Sequence, residues 1–236
     1  MSTSPATSAG PGGFRHFHEQ LAELKQRLLD MAGHAEELVD LSIDSLRERD
    51  AVKAEAVLTA DAEIDAIELE VEQRAISLLA LQQPMARDLR FIVGAIKISS
   101  DLERVGDHAV NIAQATLRLL DSASVLTPGP EIDEMARRAR LMLGDALDAF
   151  IRADGTLGRN VCRRDDEVDA LEETVFRVLL THMMENPAVI SSAIQMLLVS
   201  RNLERVADLA TNIAEDAVYL AEGKQIKHHF EERGGR

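Results

Sequence analysis

The chain has 236 residues, 46% hydrophobic and 28% charged, enough apolar material for a real core in one domain or two. Acidic residues outnumber basic ones 41 to 26, and the formal charge of -15 argues against an electrostatic nucleic-acid binder, as do an aromatic content of 3% and the absence of Trp. The single cysteine, Cys162, rules out an intrachain disulfide framework and fits a reducing, cytoplasmic setting.

Met1 to Gly13 is Ser, Thr, Ala, Gly and Pro, with neither a basic start nor an apolar segment, and is expected to be a flexible leader and not a signal peptide. From Phe14 to about Arg49, Phe17, Leu21, Leu24, Leu28, Met31, Ala35 and Leu38 recur at spacings of three and four and predict an amphipathic first helix. Asp50 is an N-cap candidate for the second, whose seam is Val57, Ala60, Ile64, Ile67, Val71, Leu78 and Leu81. Asp61, Asp65, Glu68 and Glu72 follow one residue behind successive seam positions, on its solvent shoulder. Pro84 ends that helix. The third helix carries two apolar stripes. One is Phe91, Ala95, Ile98, Leu102, Val105, Ala109 and Ile112; the other is Leu89, Ile92, Val93 and Ile96, expected to meet another bundle or subunit.

Thr127-Pro128-Gly129-Pro130 is the clearest break and predicts the boundary between halves. A fourth helix is expected from Ile132 to about Arg152, then a loop from Asp154 through Gly158. The fifth helix has the seam Val161, Val168, Leu171, Val175 and Val178, which places Cys162 inside a helical pattern and leaves a catalytic thiol poorly supported. Asp165, Asp169 and Glu172 shadow this seam as Asp61, Asp65 and Glu68 do the second helix, at an offset of 104. Asn186-Pro187 starts a sixth helix with both stripes of the third: Met196, Val199, Leu203, Val206, Ala210 and Ile213, and Ile190, Ile194 and Leu197. After Gly223 a polar tail with His228 and His229 is expected to be loose. The fold class is therefore all-α, two homologous three-helix bundles of six helices: leader 1–13, first bundle 14–126, linker 127–130, second bundle 131–223 and tail 224–236. No apolar run approaches the roughly 18 residues needed to span a bilayer.

The duplication is sharpest between Leu102–Ala113 and Leu203–Ala214, where nine of twelve positions are identical at an offset of 101. Glu103, Asp107 and Asn111 form one helical stripe, and Glu204, Asp208 and Asn212 repeat it. A lone acidic i,i+4 pair carries little information in so acidic a chain. Four such pairs on equivalent helices carry more: Asp61/Asp65, Glu103/Asp107, Asp165/Asp169 and Glu204/Asp208. Carboxylates clustered without Cys suit a hard cation, Mg²⁺, Mn²⁺, Ca²⁺ or iron. The bland reading is a solvated face tied by Arg104 and Arg205 in exposed ion pairs worth about 0–1 kcal/mol. His108 stands beside Asp107 as a possible nitrogen donor, but its counterpart is Leu209. Arg87, Arg90 and Lys97 begin the third helix as a basic group suited either to capping or to an acidic partner. No Gly-rich phosphate loop and no Ser-His-Asp constellation stands out, so metal-activated water is the only enzymatic chemistry within reach, and a metal-dependent phosphohydrolase is the rival reading.

Pro84-Met-Ala-Arg-Asp-Leu-Arg-Phe-Ile, Lys97, and Asp101-Leu-Glu-Arg-Val-Gly-Asp-His-Ala-Val-Asn-Ile-Ala together resemble the signature of the PhoU family of bacterial phosphate-transport accessory proteins. Asn202-Leu-Glu-Arg-Val-Ala-Asp-Leu-Ala-Thr-Asn-Ile-Ala-Glu is similar to that family's second repeat, and the likeness runs from Phe14 to about Lys227. The resemblance implies two three-helix bundles side by side, with metal ions (Mg, Mn, Fe or Zn) on Asp61, Asp65, Glu103, Asp107, Asp165, Asp169, Glu204 and Asp208. It implies a non-enzymatic, cytoplasmic negative regulator of the phosphate-starvation response. Such a regulator couples the ATPase of the high-affinity phosphate ABC transporter to a sensor histidine kinase. A homodimer is expected, with Arg87, Arg90, Arg104 and Arg205 as partner-binding residues. Two departures stand out: Leu209 where the second repeat often has His, and Asn202 in place of the Asp at 101.

Overall fold

The computed structural model describes residues 11–122, 126–224 and 226, with side chains from residue 16 onward. Residues 1–10 of the predicted leader and the tail with His228 and His229 lie outside the described residues. The elements are α1 (Pro11–Glu48), α2 (Ala51–Gln82), α3 (Ala86–Leu120), α4 (Pro130–Arg152), α5 (Gly155–Cys162), α6 (Asp165–Glu185), a 3₁₀ turn (Pro187–Val189) and α7 (Ile190–Glu222). There is no strand among the described residues.

Helix ends follow local chemistry. The Asp50 carboxylate accepts from the backbone N–H of Val52 at 2.8 Å and of Lys53 at 3.3 Å, satisfying donors that have no partner inside the first turn of α2. α2 closes on Gln83 in the left-handed region (φ 45°), ahead of Pro84. Pro130 occupies the first turn of α4, where its missing N–H costs nothing. Asn186 accepts from Ala188 N–H at 3.1 Å and starts the 3₁₀ turn that leads into α7, so the sixth predicted helix begins with a tighter turn than expected.

The structure overturns the expected loop from Asp154 through Gly158, and it leaves Val178 of the predicted fifth-helix seam 39% exposed. Asp154 accepts from Thr156 and Leu157 N–H, both at 3.0 Å, and α5 begins at once. Gly158 is there for closeness and not for a turn: a Cβ on it would lie 2.8 Å from the backbone oxygen of Ala214 on α7. The predicted fifth helix is thus divided at Arg163 and Arg164 into α5 and α6, and Asp165, Asp166 and Glu167 sit in the first turn of α6, where carboxylates face the positive end of the helix.

α1, α2 and α3 pack on one another, and α4, α5, α6 and α7 form a second group. α3 lies against α7 and α1 against α4, so the two bundles stand side by side on a shared core. All seven seam residues of α3 are buried, as are the six first-stripe residues named on α7. The second stripe of α3 divides: Ile92 is fully buried, while Leu89 (40%) and Val93 (39%) stay exposed, as do Ile190 (40%) and Ile194 (45%) on α7. Leu81, assigned to the seam of α2, is 74% exposed beside the turn. Across the bundles the Phe91 and Phe150 rings stack at 5.0 Å between centroids, an arrangement worth about 0.5–1.5 kcal/mol beyond area burial.

Candidate functional site: two carboxylate ridges

α2 and α3 carry the first ridge and α6 and α7 the second, because residues one behind a seam position fall on the shoulder where neighbouring helices meet. Asp61 and Asp65 come from α2, Glu103 and Asp107 from α3. Gly106 draws the helices together here: a Cβ on it would meet Asp61 Oδ1 at 3.2 Å and Ile64 Cδ1 at 3.1 Å. Burial raises the Asp61 carboxyl above its ordinary range, and the charges of Asp65 and Asp107 add to it. Glu103 is raised by burial and then by Asp107, Glu68, Asp65 and Asp61 in turn. Negative charge on α2 therefore reaches carboxylates on α3.

The second ridge repeats the arrangement. Burial pushes Asp165 up to about 6, with Asp169 and Asp208 adding to the effect and the Thr211 hydroxyl opposing it. By hydrogen-bond geometry, however, Thr211 Oγ1 and Asp165 Oδ1 are both buried without a partner, so the hydroxyl's opposition is weak. Asp169 is raised by burial, Asp208 and Asp166. Glu204 rises to about 7 through burial and Asp208, with Arg205 opposing and Asp169 and Glu172 contributing. In each ridge, then, carboxylates on one helix act on a carboxylate of its neighbour.

The basic residues distribute unevenly. Arg205 Nη1 donates to Asp208 Oδ2 at 2.9 Å, and its Nε lies 3.5 Å from Glu204 Oε2, so the second ridge contains a cation of its own. Arg104 turns instead to Asp101 at 3.7 Å. Arg87 is exposed at the start of α3; Arg90 is half-buried beside Gly223 at the end of α7, its Nε without a hydrogen-bond partner. His108 belongs to the seam between bundles: its Nδ1 lies 2.9 Å from Asn202 Oδ1. Asn202 Nδ2 donates to Leu198 O at 2.7 Å, which leaves the amide oxygen as the acceptor and puts a hydrogen on His108 Nδ1. Asn202 therefore joins the bundles.

Glu68 and Glu172 belong to the ridges but fall outside the eight candidates. Glu68 is raised by burial and by Glu72, opposed by a hydrogen bond from the Ser100 hydroxyl, and it acts in turn on Glu103. Their matched spacing of 104 was the available signal. Thr211 and Asp166 gave none. The donor set, all oxygen and held on two helices, fits a hard cation, and so does the unsatisfied Asp165 Oδ1. Among the described residues, no three His, Cys, Asp or Glu side chains form a metal-holding group.

The family model described as "PhoU domain" matches residues 28–116 and again 132–217. A phosphate-specific transport system accessory protein PhoU homolog of Aquifex aeolicus is 40% identical over 217 residues, 92% of this chain and 98% of that protein. The homolog of Clostridium acetobutylicum is 38% identical over 211 residues, 89% of this chain and 96% of that protein. The crystal structure of PhoU from Pseudomonas aeruginosa superposes with a TM-score of 0.83 at 34% identity, covering 88% of this chain and all of that one. The phosphate transport system regulatory protein PhoU from Streptococcus pneumoniae gives 0.83 at 29% identity over 89% of this chain and 99% of that one.

Proposed function

The chain belongs to the PhoU family, and on that premise we propose that it is a non-catalytic negative regulator of the phosphate-starvation response, coupling the ATPase of a phosphate ABC transporter to a sensor histidine kinase. The observation that carries the reading is the pair of ridges, each gathering carboxylates from two adjacent helices at matching positions of the two repeats. Asp61, Asp65, Glu103 and Asp107 would hold cations on the first ridge; Asp165, Asp169, Glu204 and Asp208 would hold them on the second. A bound Mg, Mn, Fe or Zn ion supplies charge neutralisation and open coordination positions for an acidic group of a partner. The protein's own contribution is to keep the donors on two rigid helices and to flank them with exposed apolar side chains, Leu89 and Val93 on α3 and Ile190 and Ile194 on α7. Such a surface suits reversible docking to membrane-complex subunits from the cytoplasmic side. No helix among the described residues is long and apolar enough to cross a membrane, so contact with those complexes is peripheral in this reading. A homodimer is part of the proposal.

The test is co-purification of kinase and transporter ATPase with the tagged chain from phosphate-replete cells, with metal content measured on the same sample. Glu103→Ala with Asp107→Ala is expected to lower bound metal and release both partners. Partner recovery unchanged by the double substitution, with the fold intact, would overturn the reading.

A further inference from the structure

α1 and α4 form neither ridge. They run antiparallel, as the pairs Arg47–Asp133 and Asp40–Arg140 show, and beyond those pairs they leave a groove of about 420 Å³. Leu29 (39% exposed) and Leu141 (42% exposed) stand along it, one from each helix. Gly33 opens onto the groove from the middle of a 38-residue helix, and a Cβ built on it would meet nothing within 4 Å. A glycine inside a helix is less stable than alanine, and the packing of this chain gives no reason for one here. Gly144 lies on the other wall, where a Cβ would come 3.4 Å from Glu36 Oε1. Gly33 opens onto free space and Gly144 faces Glu36 across the groove, and the absence of side chains at both suits the close approach of a backbone from outside.

Glu36 adds a charge requirement. It is half-buried in the wall, burial raises its carboxyl, and the cation that offsets this most, Arg140, is 3.5 Å from Asp40. No basic side chain among the described residues makes an ion pair with Glu36. Asp145 and Asp148 line the same groove, so its carboxylates outnumber its one arginine, Arg140, and the complement is a cationic partner.

We propose that the α1–α4 groove docks a cationic amphipathic helix of a protein partner, its backbone over Gly33 and Gly144, its apolar side chains on Leu29 and Leu141, and a Lys or Arg at Glu36. The mode is a helix laid in a groove, and it is independent of the ridges.

The probe is a fluorescein-labelled, stapled helical peptide of about fourteen residues, with Ala along one face, Leu beside it and one Lys a turn away. A matched peptide carries Glu in place of that Lys. Fluorescence anisotropy against the full chain is expected to show saturable binding of the Lys peptide and at least about tenfold weaker binding of the Glu peptide. Gly33→Leu fills open space and is expected to keep the thermal midpoint while weakening the Lys peptide at least about tenfold. Glu36→Gln is expected to narrow the gap between the two peptides. The proposal is overturned by no saturable binding of the Lys peptide, by a Gly33→Leu chain that binds it as well as the wild type, or by sedimentation data in which Gly33→Leu splits a dimer, which would make the occupant a second copy.

Discussion

Gly94 shows how much one atom decides. A Cβ there would sit 2.7 Å from Phe150 Cε2 and 2.8 Å from Cζ, and that ring is fully buried and stacked on Phe91. It has nowhere to go, so Gly94→Ala is expected to cost about 1–3 kcal/mol, read as a lower urea midpoint with unchanged slope; wild-type stability would mean the bundles can shift apart here. Lys25 Nζ stands 4.9 Å over the Phe91 ring from α1, tying the same contact to the first bundle. Periodicity marks Phe91 and Phe150 as core residues, because it fixes which face of a helix is apolar. It says nothing of whether two such faces, one from each half, meet at a glycine.

At the scale of elements, α5 separates two uses of the same residue type. Gly155 and Gly158 suggested a loop because glycine is so often a breaker, whereas here they bring α5 close to α7 and Asp154 supplies the cap. Asp154→Ala is expected to cost about 1 kcal/mol, measured by thermal melting, and no loss would show that tertiary packing alone holds α5. The second ridge predicts a pH dependence. Asp165 and Glu204 have ordinary values of 3.8 and 4.5 and are raised to about 6 and about 7 in the folded chain. The folded state therefore keeps protons that the unfolded chain has already released. This contribution to stability is full below the ordinary carboxylate range and is lost as pH rises through about 6 and about 7. The thermal midpoint of metal-stripped protein should fall across that window, and Glu204→Gln should flatten the fall; a wild-type profile that is flat or rising there would contradict the assignment. Glu134 has the opposite sign, held down to about 2 by Arg137 and Arg138, and acts well below that window.

For the whole molecule, the polar joints between bundles are few and specific. Lys97 Nζ reaches Asp216 Oδ1 at 3.4 Å; the Asp216 side chain is 7% exposed and that of Lys97 44%. Lys97→Met leaves a buried carboxylate without its cation, at a cost of about 1–3 kcal/mol. Adding Asp216→Leu removes the stranded charge and is expected to recover most of the loss. A double-mutant cycle in urea measures the coupling, and additive losses would show the pair to be idle. His108 and Asn202 form a second joint along the same seam, and this is where the departures at Leu209 and Asn202 take their meaning. Their counterparts are His108 and Asp101, so the seam is not symmetric even though the ridges repeat. Sequence comparison of the halves exposes the differences, but only packing α3 against α7 shows which residue faces which.

The order of residues alone determined the helical class, the duplication, the capped start of α2, the proline start of α4 and the carboxylate stripe along each helix. All of these follow from spacing along one helix, and that geometry is fixed by 3.6 residues per turn wherever the helix lies. The tertiary structure alone decided that Arg205 enters a ridge while Arg104 turns away, that His108 serves the seam, and that Gly33 faces open space. Each of those outcomes depends on how far apart two helices stand and at what rotation, which is set by the summed packing of side chains remote in sequence and is written in no local pattern.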